Sequence, residues 1–218
     1  MKYENEELII KADNLAKIIL ESKGHTYCRD KFFPLMCEKM GYKTGAEIGV
    51  DTAKFSAHML AKTTMGKYYC VDPWPDDFGS NHKPGYFDKA GDNRYQEALK
   101  NLAPFGNRAV ICKGMSVDVS KQIEDESIDF CYIDGDHSLF GIMDDIRAWT
   151  PKIRHGGIIS GHDYKDGPGS GMKDFFGKQL SYRIKTVVDD YCLKYGHSIR
   201  VVGGRIKSWW FIKNRHHE

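Results

Sequence analysis

Ser127-Ile-Asp-Phe-Cys-Tyr-Ile-Asp-Gly-Asp-His137 is an apolar, strand-like run that stops abruptly in acid and histidine, and His155-Gly-Gly-Ile-Ile-Ser-Gly-His-Asp-Tyr164, a little further on, repeats the form. Between them Ile142, Ile146, Trp149 and Ile153 recur at i, i+4, i+7 and i+11, the stripe of a helix that covers a sheet face. Strand, helix, strand in this order predicts neighbouring parallel strands joined by a crossover. Their carboxyl ends would then carry Asp134, Asp136, His137, His162 and Asp163 to one sheet edge, where open α/β sheets bind ligands.

The same rhythm extends toward the N-terminus. Ala46–Val50 reads as a buried strand, Ala53–Thr63 as a helix, Tyr68–Asp72 as a strand, Asn93–Leu102 as a helix and Ala109–Cys112 as a further strand. Ahead of it, residues 5–22 place Leu8, Ala12, Leu15 and Ile19 on one helical face, and Asp30–Met40 forms a second helix stopped by Gly41. Residues 1–42 are therefore expected as an N-terminal helical extension, and 43–218 as the main domain. Toward the C-terminus a helix over Ile184–Tyr195 precedes two short apolar runs joined at Gly203-Gly204, which predicts an antiparallel hairpin. The expected fold is α/β: a mostly parallel seven-stranded sheet ending in that hairpin, with helices on both faces. Two Gly- and Pro-rich segments, Pro73–Phe87 and Gly161–Lys173, are expected as long loops walling the site.

Composition narrows the function. With 218 residues and 41% hydrophobic content the chain can bury one substantial core. Its 32 basic and 30 acidic residues are interspersed, so nothing in the charge calls for nucleic acid or a membrane surface. Six cysteines without a C-x-x-C pair read as reduced residues of a cytoplasmic protein. No apolar stretch approaches the length of a membrane span, and no export signal is visible.

Gly45-Ala-Glu-Ile-Gly-Val-Asp-Thr-Ala-Lys-Phe-Ser56 lies at the first strand-to-helix turn, and Asp72 closes the next strand. Small residues let the backbone approach a ligand, and the acid is placed for two ribose hydroxyls, a geometry that serves NAD as well as S-adenosylmethionine. Glu47 separates the two. A carboxylate inside the first strand favours the ammonium of an amino-acid moiety, and no pyrophosphate then needs a glycine cradle. Pairing of Glu47 with Lys43 is the structural alternative.

Glu47-Ile-Gly-Val50, Val71-Asp-Pro-Trp74, Gly114-Met-Ser116, Ile133-Asp-Gly-Asp-His-Ser138, Pro151-Lys-Ile-Arg-His-Gly-Gly157 and Gly161-His-Asp-Tyr164 together resemble class I S-adenosylmethionine-dependent methyltransferases of the family 24 type, over residues 44–213. The resemblance implies a Rossmann-like methyltransferase fold and S-adenosyl-L-methionine as cofactor. It puts Glu47 and Gly49 at the methionine portion, Asp72 on the ribose, Pro73 and Trp74 beside the nucleoside, Met115 and Ser116 at the adenine, and Asp134 at the methionine amino group or a metal, with Val50 and Gly135 also among the cofactor-binding residues. Trp74 could equally anchor its loop. In metal-dependent O-methyltransferases of this fold, acids at the fourth and fifth strand ends hold a divalent ion; the matching positions are Asp134, His162 and Asp163. Imidazole suits zinc, iron or manganese better than magnesium. Two alternatives stand: a divalent metal on Asp134, His162 and Asp163, or a metal-free site with His137 or His162 as general base. The expected reaction is methyl transfer to a hydroxyl of a small molecule such as a sugar, with acceptor contacts from the two loops and the N-terminal helices. A nicotinamide-dependent oxidoreductase and a non-catalytic cofactor-binding protein are the rivals. A homo-oligomer is compatible with the sequence. His82, His216 and His217 carry weaker claims to a role.

Overall fold

The computed structural model describes residues 2–21, 28–74, 91–173, 179–203 and 206–214. Two helices come first, α1 (Lys2–Glu21) and α2 (Arg29–Met40), the latter closed by Gly41 in the left-handed conformation at φ 73°. An alternating series follows: β1 (Thr44–Ile48), α3 (Lys54–Lys62), β2 (Lys67–Asp72), α4 (Gly91–Leu102), β3 (Ala109–Lys113), α5 (Ser116–Ser120), β4 (Ile128–Ile133), α6 (Leu139–Trp149) and β5 (Ile153–Gly161). The chain then forms β6 (Asp166–Lys173), β7 (Gln179–Arg183), α7 (Ile184–Tyr195), β8 (Arg200–Val202) and β9 (Ser208–Ile212).

Seven strands make one sheet in the order β3-β2-β1-β4-β5-β9-β8, parallel from β3 to β5 and antiparallel from β5 to β9 and from β9 to β8. The order reverses between β1 and β4, which opens a crevice at the carboxyl ends. Pairing aligns Ile48 with Val71 and with Ile133, and Ile133 with Gly161. Gly49, Asp72, Asp134 and His162 are thus one step beyond a common row.

Both faces of the sheet are covered. On one, Ala12, Ala16 and Ile19 of α1 and Phe32, Phe33 and Met36 of α2 share a core with Phe130, Tyr132 and Trp210. On the other, Ile142, Ile146 and Trp149 of α6 and Val188 of α7 pack against Cys131, Ile133, Trp209 and Phe211. Successive β4 and β9 residues therefore serve opposite cores, as the period of two demands.

Two expectations are corrected. Ile153 does not belong to the α6 stripe: the helix ends at Trp149, a single 3-10 turn with Pro151 intervenes, and Ile153 starts β5 opposite Ile128. Proline has no N–H to continue a helix, and Ile153 stays buried for a different reason. Nor is Gly161–Lys173 a structureless loop. Asp166–Lys173 pairs antiparallel with Gln179–Arg183 in a separate two-stranded sheet, held by backbone hydrogen bonds that its glycines and proline do not announce. Residues 75–87 of the other expected loop, His82 within it, and the terminal His216 and His217 lie outside the described residues.

Candidate active site

The turn after β1 is held open by backbone geometry. Gly49 has φ 83°, and a Cβ there would stand 2.4 Å from the carbonyl oxygen of Asp134, so only glycine lets the β1 and β4 ends approach. Gly49 N–H donates to Val71 O at 2.9 Å, Asp134 N–H to Ile48 O at 2.7 Å and His162 N–H to Ile133 O at 3.0 Å, which ties four strand ends into one rim. Asp51, Ala53, Trp74 and Asp163 all have positive φ. Non-glycine residues in that region cost energy and collect at functional sites. Ala53 therefore occupies the left-handed position that the turn prescribes without being glycine.

Glu47 is buried at 3% exposure and accepts a hydrogen bond from Ser56 Oγ in the first turns of α3. No pairing with Lys43 forms; the backbone N–H of Lys43 and Thr44 donate instead to Asp129 Oδ2 at 2.6 and 2.8 Å. Burial pushes the Glu47 carboxyl up to about 8, with Ser56 opposing and Asp134 adding to the rise. A buried acid whose side-chain hydrogen bond comes from a neutral hydroxyl is costly to ionise unless a cation arrives. At the end of β2, Asp72 accepts from the N–H of Asp51 and of Trp74, each at 2.9 Å. Trp74 is 1% exposed; its indole donates to Asp51 O at 2.8 Å and packs 5.0 Å from Tyr95, so it anchors the turn. Val50 is buried beneath the same turn, Pro73 is half-buried, and Gly135 lies against Gly49. Met115 is largely exposed beyond β3. Ser116 is committed to α6: its Oγ donates to Asp145 and accepts from Trp149 Nε1 at 2.8 Å. Burial raises the Asp145 carboxyl to about 7, Ser116 opposing and Asp136 reinforcing.

At the β4 and β5 ends four predicted side chains meet. His137 Nε2 is 3.5 Å from Asp134 Oδ1 and 3.2 Å from Asp163 Oδ2; His162 Nδ1 is 3.5 and 3.4 Å from the same two oxygens. Donor atoms of Asp134, His162 and Asp163 all fall within 4.8 Å of one another. Burial works against protonation of His137, but Asp134 and Asp163 together push it up to about 9. The imidazoles of His137 and His162 hold the Asp163 carboxyl far below its ordinary range. Asp136 stands apart. It accepts from Ser138 N–H at 2.8 Å and from Ser138 Oγ at 3.0 Å, and Ser138 caps α6.

Two cations complete the group, and neither has a sequence motif. Arg29, the first residue of α2, donates from Nη1 to Asp134 Oδ2 at 2.7 Å and to the Tyr132 hydroxyl at 3.3 Å. Its guanidinium lies 4.9 Å from the Phe55 ring centre and 5.4 Å from that of Tyr132. Lys165 approaches Asp163 Oδ1 at 3.2 Å and lies over Tyr182, whose ring meets His137 edge-on at 5.1 Å. The β6–β7 pair therefore walls the cluster from one side and α2 from the other.

A family model described as a methyltransferase domain matches residues 43–164, more than half of the chain and the whole run from β1 to the Asp163 turn. The chain belongs to this methyltransferase family. It is an S-adenosylmethionine-dependent methyltransferase with the Rossmann-like fold of its class. Among solved structures, an O-methyltransferase from Bacillus cereus in complex with SAH is 17% identical with a TM-score of 0.59, covering 98% of this chain and 92% of its own. A methyltransferase from Geobacter sulfurreducens is 11% identical, TM-score 0.55, over 95% of this chain and 89% of its own. The 1,6-didemethyltoxoflavin-N1-methyltransferase of Burkholderia thailandensis is 11% identical, TM-score 0.56, over 98% and 91%. At such identities the likeness is one of fold. No curated protein matches the chain. Among the described residues of this methyltransferase, no helix is long and apolar enough to cross a membrane.

Proposed function

We propose that this methyltransferase transfers the methyl group of S-adenosylmethionine to a hydroxyl oxygen of a small molecule, a sugar or similar metabolite, at the Asp134–His137–His162–Asp163 cluster. The observation that carries the reading is the shared row of strand ends: Gly49, Asp72, Asp134 and His162 stand side by side, with the buried Glu47 beneath. The residues fit the cofactor. Glu47 would take the ammonium of the methionine moiety and Asp72 the ribose hydroxyls, while Gly49 leaves room for close approach. When bound, the cofactor supplies a sulfonium methyl open to in-line displacement.

The chain must then align an acceptor oxygen and remove its proton. In methyl transfer to a hydroxyl the acceptor's proton would leave toward the cluster, where imidazole and carboxylate groups lie within a few ångström of one another. Arg29 and Lys165 neutralise the two aspartates, so a neutral hydroxyl can enter without meeting a bare negative field. The Asp134, His162 and Asp163 donors also fit a divalent ion, which would supply Lewis acidity at the same oxygen.

Calorimetric titration of the full chain with S-adenosylhomocysteine and with NAD tests the cofactor pocket; binding of NAD alone would sink it. Transfer of labelled methyl to a panel of sugars and catechols, with amines as the counter-panel, tests the acceptor class. On a responding acceptor, His162→Ala and Asp163→Ala should each lower kcat at least about 100-fold with cofactor affinity retained. Unchanged turnover in both would remove the cluster from the chemistry.

A further inference from the structure

We propose that Lys165 and Lys207 form an anion subsite beside the histidine–aspartate cluster, and that the methyl acceptor is a hydroxylated molecule bearing a carboxylate or phosphate group that seats there. The inference rests on the methyl-transfer reading above and narrows its acceptor.

A cavity of about 240 Å³ opens against the cluster, lined by Asp163, Tyr164, Lys165, Ile206 and Lys207. Pockets that enclose a whole ligand run to roughly 300–1,000 Å³, so this one has room for one end of a small acceptor. Asp163 belongs to the cavity and to the cluster alike. A group held in the cavity therefore leaves the rest of its molecule within reach of His137 and His162.

Backbone contacts build the wall. Asp163 takes the left-handed conformation at φ 49°, Lys165 N–H donates back to Asp163 O, and Tyr164 N–H donates to Lys207 O at 3.0 Å. The end of β5 and the start of β9 are thereby tied together, and two lysines remote in sequence face one space. Tyr182 of β7 supports the Lys165 ammonium, which lies 4.6 Å from its ring centre.

The charges along this wall do not balance. Asp163 turns Oδ2 to the two imidazoles and only Oδ1, at 3.2 Å, to Lys165. Asp166 accepts from Thr186 N–H at 3.1 Å and Thr186 Oγ1 at 2.6 Å, and Asp189 from the Tyr164 hydroxyl and Lys185. Among the described residues no carboxylate pairs with the Lys207 ammonium. Two ammonium groups thus border a cavity whose single acid is shared. Solvated lysines on an open surface would carry no ligand; these two share a cavity with an acid of the cluster. An ammonium is a compact point charge that suits an anionic oxygen, and Ile206 and Tyr164 leave an apolar wall for the carbon skeleton behind it.

Proton–carbon NMR of the full chain with isotope-labelled lysine Cε, chelator present so that no metal-bound anion interferes, reads the subsite directly. Inorganic phosphate or acetate should shift the Lys165 and Lys207 signals together, saturating with one Kd of about 1–10 mM, while Lys67 at the amino end of β2 stays unshifted. A response to phosphate alone assigns a phosphorylated acceptor, to acetate alone a carboxylated one, and to both admits either. Lys207→Met, a change at an exposed side chain, should weaken the Lys165 response about tenfold or more. Failure of both anions to saturate, a shift confined to one lysine, an equal shift at Lys67, or native affinity in Lys207→Met would each overturn the proposal. On acceptors that turn over, Lys207→Met should raise KM for uronates or sugar phosphates about tenfold or more with kcat little changed. A neutral hexose methylated at higher kcat/KM than its uronate and phosphate analogues would overturn the acceptor assignment. Titration with S-adenosylhomocysteine separates the two readings. If it binds and the anions do not, only this inference fails; if the anions bind and it does not, the methyl-transfer pocket fails and takes the acceptor assignment with it.

Discussion

Glu47 contributes to the pH behaviour of the unliganded protein, in the same direction as His137, which its neighbouring aspartates push up to about 9. Burial raises its carboxyl to about 8 against an ordinary value of 4.5, so the folded chain holds this proton more tightly than the unfolded one. The associated stability is complete below about pH 4.5 and is lost as pH climbs through about 8, with Asp145, raised to about 7, acting in the same direction. Thermal melts of the unliganded chain should therefore fall by several degrees between about pH 6 and pH 9, and less for Glu47→Gln. A wild-type melting temperature that does not change over that interval contradicts the burial argument. Cofactor binding should run the other way: an arriving ammonium stabilises the carboxylate, so affinity for S-adenosylhomocysteine should rise from pH 6 toward pH 8. Glu47→Gln should weaken it about tenfold or more, about 1.4 kcal/mol, and remove the pH dependence. Equal affinities for the two proteins would show that the acid does not face the amino group.

Turns and helix ends carry the geometry. Gly49→Ala combines a left-handed φ of 83° with a Cβ 2.4 Å from the Asp134 carbonyl, so the β1 and β4 ends must separate. A loss of about 2–4 kcal/mol in urea unfolding is expected, with cofactor affinity reduced as well. An unaltered midpoint would mean the rim is not closed as described. Arg29 makes α2 part of the site. Arg29→Met leaves Asp134 Oδ2 without its donor and should cost about 1–3 kcal/mol, read from the same unfolding curves. Strand ends bearing Asp134, His162 and Asp163 were legible because each apolar run and its polar terminus are local in sequence. Arg29 was not, since one arginine at a helix start looks like any solvated charge. The β6–β7 pair escaped notice for a related reason: Asp166-Gly-Pro-Gly-Ser-Gly-Met-Lys173 has no period-two alternation, and backbone pairing alone makes it a strand.

Over the whole molecule, the N-terminal helices and the sheet share one core. Phe32 and Phe33 of α2 meet Trp210 and Phe130, at ring separations of 5.6 and 5.5 Å, beneath the site. Deleting residues 1–42 would bare Phe130, Tyr132 and Trp210, so the remaining chain should lose cooperative melting or aggregate. A truncated chain melting as sharply and as high as the full one would make the extension an independent unit. Sequence alone determined the alternation of strands and helices from β1 to β4, the sheet class, the terminal hairpin and the acids and histidines at the strand ends, because periodicity and termination are properties of neighbouring residues. Tertiary structure decided that Trp74 and Ser116 are drawn into packing, that Arg29 and Lys165 grip the outer carboxylate oxygens, and that His137 turns toward the same two oxygens as His162. Those directions depend on how α2, α6 and the β6–β7 pair settle against the sheet, a balance of contacts between residues remote in the chain that no local pattern encodes.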